Sequence, residues 1–193
     1  PDMMTVTVTD YLGNDTESLI DGRYLACMMA ARQLSGNRDV ATPWTGTRLV
    51  GTNGLARNMD AVSQNQVAAG GITVCENSGG LVKVRHGLTS NMTDVLTKTP
   101  TVAQIIDEVQ VQARNSLSAY VGVKFLPGIL SQVEGRLSQM FGRMVDAQII
   151  SSYTGVSANV DGMDPTLANL EAYYQPVFPL LFIVLNFNLR SQM

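Results

Sequence analysis

The sequence predicts an α+β (mixed α/β) fold: a small β-sheet with helices packed on one face, plus an extended C-terminal arm strand. Three observations predict it. Ile72-Thr73-Val74-Cys75-Glu76 and Leu81-Val82-Lys83-Val84-Arg85, separated by Asn77-Ser78-Gly79-Gly80, have the pattern of a β-hairpin. Two consecutive segments, from Val102 to Leu117 and from Ile129 to Met144, carry apolar residues at helical spacing. The end of the chain, Phe182–Arg190, alternates with a period of two, which marks a half-buried strand.

Taken in order, Met4–Thr9 reads as a strand and Asp10–Asp21 as a polar, turn-rich loop. Gly22–Leu34 places Tyr24, Leu25, Met28, Met29 and Ala31 at helical spacing, and Ser35-Gly36-Asn37 supplies a C-cap. A connection containing Pro43, Gly46, Gly51 and Gly54 leads to a short helix over Met59–Ala69, stopped by Gly70-Gly71. After the hairpin, Thr101 and Gln104 have the spacing of a capping box directly after Pro100. The helix they start has one apolar stripe of Val102, Ile105, Ile106, Val109, Ala113 and Leu117. Pro127 stands where a first-turn proline belongs. A second helix follows, with Ile129, Leu130, Val133, Leu137, Met140, Phe141 and Met144 on its apolar face. Ala147–Val160 reads as extended, Asp161–Pro165 as a turn, and Leu167–Pro176 as a strand. The order strand, helix, helix, hairpin, helix, helix, strand, strand puts sequential helices on one face of a sheet.

The terminal alternation sets Ile183, Leu185, Phe187 and Leu189 on one side and Asn186, Asn188 and Arg190 on the other. Burying four large apolar side chains contributes roughly 6–12 kcal/mol. Ordering nine backbone residues costs roughly 9–18 kcal/mol. Apolar burial alone therefore does not hold this strand. It needs a partner strand, from its own sheet or from another chain by strand addition.

Composition narrows the functional classes. The chain has 193 residues, 45% of them hydrophobic but only 15% charged, against the usual ~25%. With 17 Gly and 10 Met, this suggests surface that is polar but uncharged, or covered by other molecules. A net charge of −3 argues against nucleic-acid binding driven by bulk charge. The longest apolar run, Val177–Leu185, is about half the length of a membrane-spanning helix, so no membrane insertion is expected. Cys27 and Cys75 lack CxxC spacing and read as two free thiols in a reduced compartment, both in buried settings. The chain opens on Pro1 rather than Met, which fits a processed chain or a fragment of something longer, and Met4–Thr9 already reads as a strand, as if cut from a continuing domain.

No catalytic constellation emerges. His86 is the only histidine, which excludes a multi-His metal site, and it reads as a structural residue at a strand end. Gly51-Thr52-Asn53-Gly54 lacks the Lys-Ser/Thr of a phosphate loop, and no GxGxxG follows a strand. Asp107 and Glu108 are adjacent on a helix and diverge by about 100°, so they do not form a carboxylate pair. Trp44, between Pro43 and Gly46, fits either a local pocket or an interface. No cofactor and no enzyme activity are expected. A small α/β enzyme with an unrecognised active site, or an oligomeric binding module, are the alternatives from other classes.

Three stretches together resemble the C-terminal half of contractile tail sheath proteins of bacteriophages and related injection systems. The first is the helix Gly22–Leu34 with Asp39-Val40-Ala41-Thr42-Pro43-Trp44 and Leu49-Val50-Gly51. The second is Gly71-Ile72-Thr73-Val74, the Gly79-Gly80 turn, and Val84-Arg85-His86-Gly87-Leu88-Thr89-Ser90, where the family commonly has Thr-Thr at the last two positions. The third is the closing strand, Asp-Gly turn, strand and apolar arm. The likeness covers roughly residues 20–190 and lacks the family's longer N-terminal part.

The resemblance implies a structural subunit of the virion tail, assembled in the bacterial host cytoplasm. Such subunits form a homo-oligomeric helical sheath of stacked rings around an inner tail tube protein. Terminal arms add strands to neighbours' sheets, and contraction drives the tube through a cell envelope. No cofactor, metal or direct nucleic-acid contact is implied. Residues 1–20 would then be the end of a preceding domain or a linker strand, 21–180 the sheath C-terminal domain, and 181–193 an arm exchanged with a neighbouring subunit. The arm residues are Leu181, Phe182, Ile183, Val184, Leu185, Asn186, Phe187, Asn188, Leu189 and Arg190. Gly135-Arg136 and Gly142-Arg143 recur seven residues apart on one helical stripe, and the resemblance makes Arg136 and Arg143 candidate tube contacts.

Overall fold

The order of elements follows the pattern of the side chains. In this computed structural model the described residues are 4–9, 12–35 and 39–181. They form β1 (Met4–Thr9), β2 (Asp15–Ile20), α1 (Arg23–Leu34), β3 (Gly54–Leu55), α2 (Ala61–Ala69), β4 (Val74–Ser78) and β5 (Leu81–His86). These are followed by α3 (Pro100–Leu117), a 3-10 turn at Ser118–Tyr120, α4 (Ile129–Asp146), β6 (Ile150–Val160) and β7 (Ala168–Pro176). The class is α+β, with the strands divided among three small antiparallel sheets ordered β2-β1-β3, β4-β5 and β6-β7.

Several local expectations change. Residues 15–20, read as part of a loop, form β2 and pair with β1 from Thr9↔Asp15 to Met4↔Ile20. Asp, Glu and Ser are poor strand formers alone, so this strand is fixed by its Thr- and Val-rich partner rather than by propensity. The helix α3 starts two positions earlier than the capping-box reading: Thr99 and not Thr101 is the N-cap, Pro100 takes the first helical position, and Thr101 is buried inside the helix. Pro127 precedes α4 rather than opening it. The N-cap is Gly128, at φ +90°, a left-handed conformation that glycine adopts without strain. Cys27 is exposed, because α1 packs through Leu25 and Met29 and position 27 lies on the opposite side of the helix.

The β4–β5 hairpin closes on Gly79 and Gly80, both at positive φ, as a two-residue turn requires. Its inward residues Val82 and Val84 pack with Leu49, Leu25, Met29 and Leu55. The segment 44–49 runs beside β5, with Gly46 donating to Val84 O at 2.7 Å and Leu49 donating to Val82 O at 2.9 Å. Trp44 is half-buried and its Cβ sits over Gly87, where an added Cβ would lie 2.5 Å from it. His86 ends β5 and lies 3.3 Å from Asn65 Oδ1 of the α2 helix.

The principal core lies between the helix pair and the last hairpin. Ile105 and Val109 of α3, Leu137, Met140, Phe141 and Met144 of α4, and Ile150 of β6 form one buried cluster. The six helical residues among them are stripe positions that the helical spacing selects, each contributing about 1.5–3 kcal/mol on burial. The helix α4 lies against β6, and α3 against β7 and α4.

Candidate assembly interface

Phe141, at the centre of α4, fixes how the last hairpin sits. Its ring stacks on Tyr153 of β6 at 5.3 Å and on Tyr174 of β7 at 5.9 Å between centroids. Tyr153 and Tyr174 are direct partners in the ladder, so one side chain holds both strands on the helix. Burial, with the nearby charge of Asp107, pushes the Tyr174 phenol above its ordinary pKa.

The turn between the strands is tied by two carboxylates. Asp161 Oδ1 accepts from the amides of Met163 (2.9 Å) and Asp164 (3.1 Å), and its Oδ2 accepts from Asn169 Nδ2 at 3.0 Å. Asp164 Oδ1 accepts from the amide of Thr166 (2.8 Å) and its hydroxyl (2.6 Å). These bonds favour the ionised forms and hold both carboxyls below the usual carboxylate range, led by the Met163 amide for Asp161 and the Thr166 hydroxyl for Asp164.

The two strands differ in shape. The register shifts between Ile150 and Ser152, and again between Thr154 and Ser157, and each shift places the extra residue in β6. At the second bulge Gly155 has φ +65°, and a Cβ there would meet the Tyr173 ring at 2.9 Å. The ladder leaves alternate backbone groups facing outward. On β6 the outward amide of Ala158 donates to Glu134 Oε1 of α4 at 2.7 Å. On β7 the outward groups of Ala168, Leu170, Ala172 and Tyr174 make no hydrogen bond to another described residue. Nothing in the local sequence announces the Glu134–Ala158 bond; the glycine at 155 was the available signal for a bulge.

Arg136 and Arg143 both lie on the exposed side of α4. Arg136 Nη1 donates to Gln139 Oε1 at 3.0 Å. Arg143 borders a groove of about 190 Å³ with Glu108, Gln112, Met140, Met144 and Ile149. A Cβ on Gly135 would meet nothing within 4 Å, and one on Gly142 only the Tyr153 hydroxyl at 4.0 Å. Of the arm, Leu181 is the last described residue, and Phe182–Arg190 lie outside the described residues. The chain approaches them through buried Pro176, with the Val177 amide donating to Ile149 O at 3.3 Å. Pro179 then restricts Phe178 to extended backbone. Among the described residues, no cluster of His, Cys, Asp or Glu is placed to hold a metal ion, and no helix is long and apolar enough to cross a membrane.

This arrangement of helix pair and bulged hairpin has close counterparts in solved structures. A chain of the anti-feeding prophage baseplate superposes with a TM-score of 0.76 at 16% identity, covering 97% of this chain and 53% of that one. The fold is that of the tail sheath proteins. A chain of the anti-feeding prophage helical sheath in its contracted state matches this sheath fold at a TM-score of 0.74 and 16% identity, over 96% of this chain and 54% of that one. The sheath tail protein of Listeria innocua matches at 0.69 and 11% identity, over 92% and 42%. In sequence, the chain is 24% identical over 179 residues to the tail sheath protein of Mycobacterium phage Bxz1, spanning 91% of this chain and 30% of that protein. The chain thus spans about half the length of the matched sheath chains and less than a third of the phage relative. No protein-family model matches the sequence.

Proposed function

We propose that this chain is the C-terminal portion of a contractile sheath subunit. It polymerises as stacked rings around an inner tube, and contraction of the polymer drives the tube through a cell envelope. The observation that carries this reading is the match of nearly the whole chain to sheath structures, joined to sequence similarity with a phage tail sheath protein. The role is structural: the chain contributes surfaces and strands, and the free energy released on contraction is stored in the lattice. Its place is the phage tail or a related injection system, assembled in the bacterial host cytoplasm.

Within that role, residues 21–180 are the sheath domain, 1–20 the end of a preceding domain or a linker strand, and 181–193 the arm exchanged with a neighbouring subunit. Two features support an arm that reaches outward. The period-two pattern of residues 182–190 asks for a partner strand. The chain also passes through Pro176, Val177 and Pro179 without a turn assigned over 177–181. Arg136 and Arg143 on the exposed side of α4 serve as tube contacts, where the open helical Gly135 allows close approach of another surface.

Negative-stain microscopy of the purified chain, with and without Leu181–Met193, tests the reading. Rings or tubes are expected from the intact chain, and a folded monomer from the shortened one. Compact single particles from the intact chain would count against the sheath role, and outright unfolding of the shortened chain would mean the arm pairs within its own sheet.

A further inference from the structure

We infer that the turn between β6 and β7 of one copy seats in a groove of a second copy, where Arg32 and Arg48 receive the carboxylates of Asp161 and Asp164. The inference rests on the self-assembling role proposed above and adds a contact made by side chains, apart from any exchanged strand.

Two hollows, of about 590 and 540 Å³, share Asp39, Thr42 and Pro43 and run together as one groove. Arg32 in the last turn of α1 and Arg48 beside β5 line one end, and Gln148 and Ser151 line the other. Both arginines are exposed, and neither forms an ion pair with a described residue. The one carboxylate lining the groove, Asp39, turns its Oδ1 to the Ala41 amide at 3.0 Å. Two guanidiniums therefore stand against a single negative charge. Gln148 has φ +57° just past α4, at the position where a helix commonly ends on glycine. An amide side chain is thus kept at the groove in a conformation that favours glycine.

The turn has the opposite character. Asp161 and Asp164 accept from backbone amides, and no Lys or Arg among the described residues pairs with either. Between them Met163 is 98% exposed, the most exposed of the large apolar side chains described. The same hydrogen bonds order the backbone that presents these residues, which lowers the entropy lost on docking. Unpaired charges of opposite sign thus lie on the two surfaces, and Pro43 offers Met163 an apolar wall.

The occupant is another copy, because a chain cannot reach its own groove. Ile150 and Ser151 at the start of β6 border the groove, whereas the turn follows Val160 at the strand's end. The 11 residues of that strand separate the two by about 30 Å.

Sedimentation velocity of the full chain, with the charges of the two surfaces exchanged, tests this. Arg32→Glu with Arg48→Glu makes the groove acidic. Asp161→Asn with Asp164→Asn and Met163→Lys makes the turn basic and keeps an acceptor oxygen for its amides. Each variant alone should associate several-fold more weakly than the parent chain, while its thermal melt matches the parent's. An equal mixture should recover association, because every unlike pair then brings opposite charges together. Raised salt should weaken the parent and the mixture alike. Met163→Cys with Thr42→Cys, in a Cys27→Ser background, should give linked multimers on mild oxidation. A mixture that associates no better than either variant alone overturns the contact, as do links confined to single chains. Rings or tubes that still form from the variants would leave the sheath role standing without this contact. Loss of tube binding with self-association intact would give the groove to the tube protein and overturn the assignment.

Discussion

Tyr153 and Tyr174 face each other across the last hairpin, partners in the ladder whose rings both stack on Phe141. The attachment of this hairpin to the helix pair therefore concentrates at one aromatic position. Phe141→Ala is expected to cost about 3–5 kcal/mol, the range for removing a buried phenylalanine. Urea denaturation followed by tyrosine fluorescence measures it. A loss under 1 kcal/mol would show that the hairpin is held elsewhere.

Two glycines should respond to alanine in opposite directions. Gly87→Ala forces a methyl to within 2.5 Å of Trp44 Cβ and 3.3 Å of the Thr45 amide nitrogen, backbone that does not yield easily. The expected cost is about 1–3 kcal/mol. Gly135→Ala adds a methyl into open space on a helix and should raise stability by about 1 kcal/mol. Thermal melts of the two variants beside the parent chain check both signs.

The turn after β6 should loosen in acid. Asp161 and Asp164 have folded-state pKa values below the unfolded value of roughly 3.9. Their contribution is thus fully present above that unfolded value and lost as pH falls through the lower folded values. Amide exchange of Met163, Asp164 and Thr166 should accelerate selectively below about pH 4. In Asp161→Ala, the Met163 and Asp164 amides should exchange quickly at every pH, and the acid dependence should survive only at Thr166.

The two thiols should separate in reactivity. Cys27 is exposed on α1, whereas burial pushes the Cys75 thiol up to about 11. At neutral pH a maleimide should label Cys27 within minutes and Cys75 only after denaturation, as read by mass spectrometry. Equal labelling of both would mean that the β4–β5 hairpin opens readily.

Reversing charge at Arg136 and Arg143 should separate assembly from folding. Both side chains are exposed, so Arg136→Glu with Arg143→Glu should change the monomer's stability by less than about 0.5 kcal/mol. Co-sedimentation with the cognate tube protein should fall several-fold. Unchanged co-sedimentation would remove these residues from the tube contact.

The elements most legible in the sequence were those whose pattern and packing agree. The apolar stripes of α3 and α4 became the principal core, and Gly79-Gly80 placed the β4–β5 hairpin. Less legible were features decided by contacts distant in the chain. The strand β2 has the composition of a loop and is a strand only because β1 lies beside it. Cys27 stands beside Met28 and Met29 in sequence, yet the turn of the helix carries it away from the side on which Leu25 and Met29 pack. The bond from Glu134 to Ala158 joins residues 24 positions apart, and no local pattern encodes a side chain reaching another element's backbone.

The bulges that bend β6 make the two borders of its hairpin unlike each other. A neighbour's strand therefore meets two different borders, one bent and one regular. Where one copy inserts and the next receives without reciprocal exchange, the contact is heterologous and generates rings or open helices. The strand exchange proposed for this chain would in this way build a growing assembly and not a closed pair.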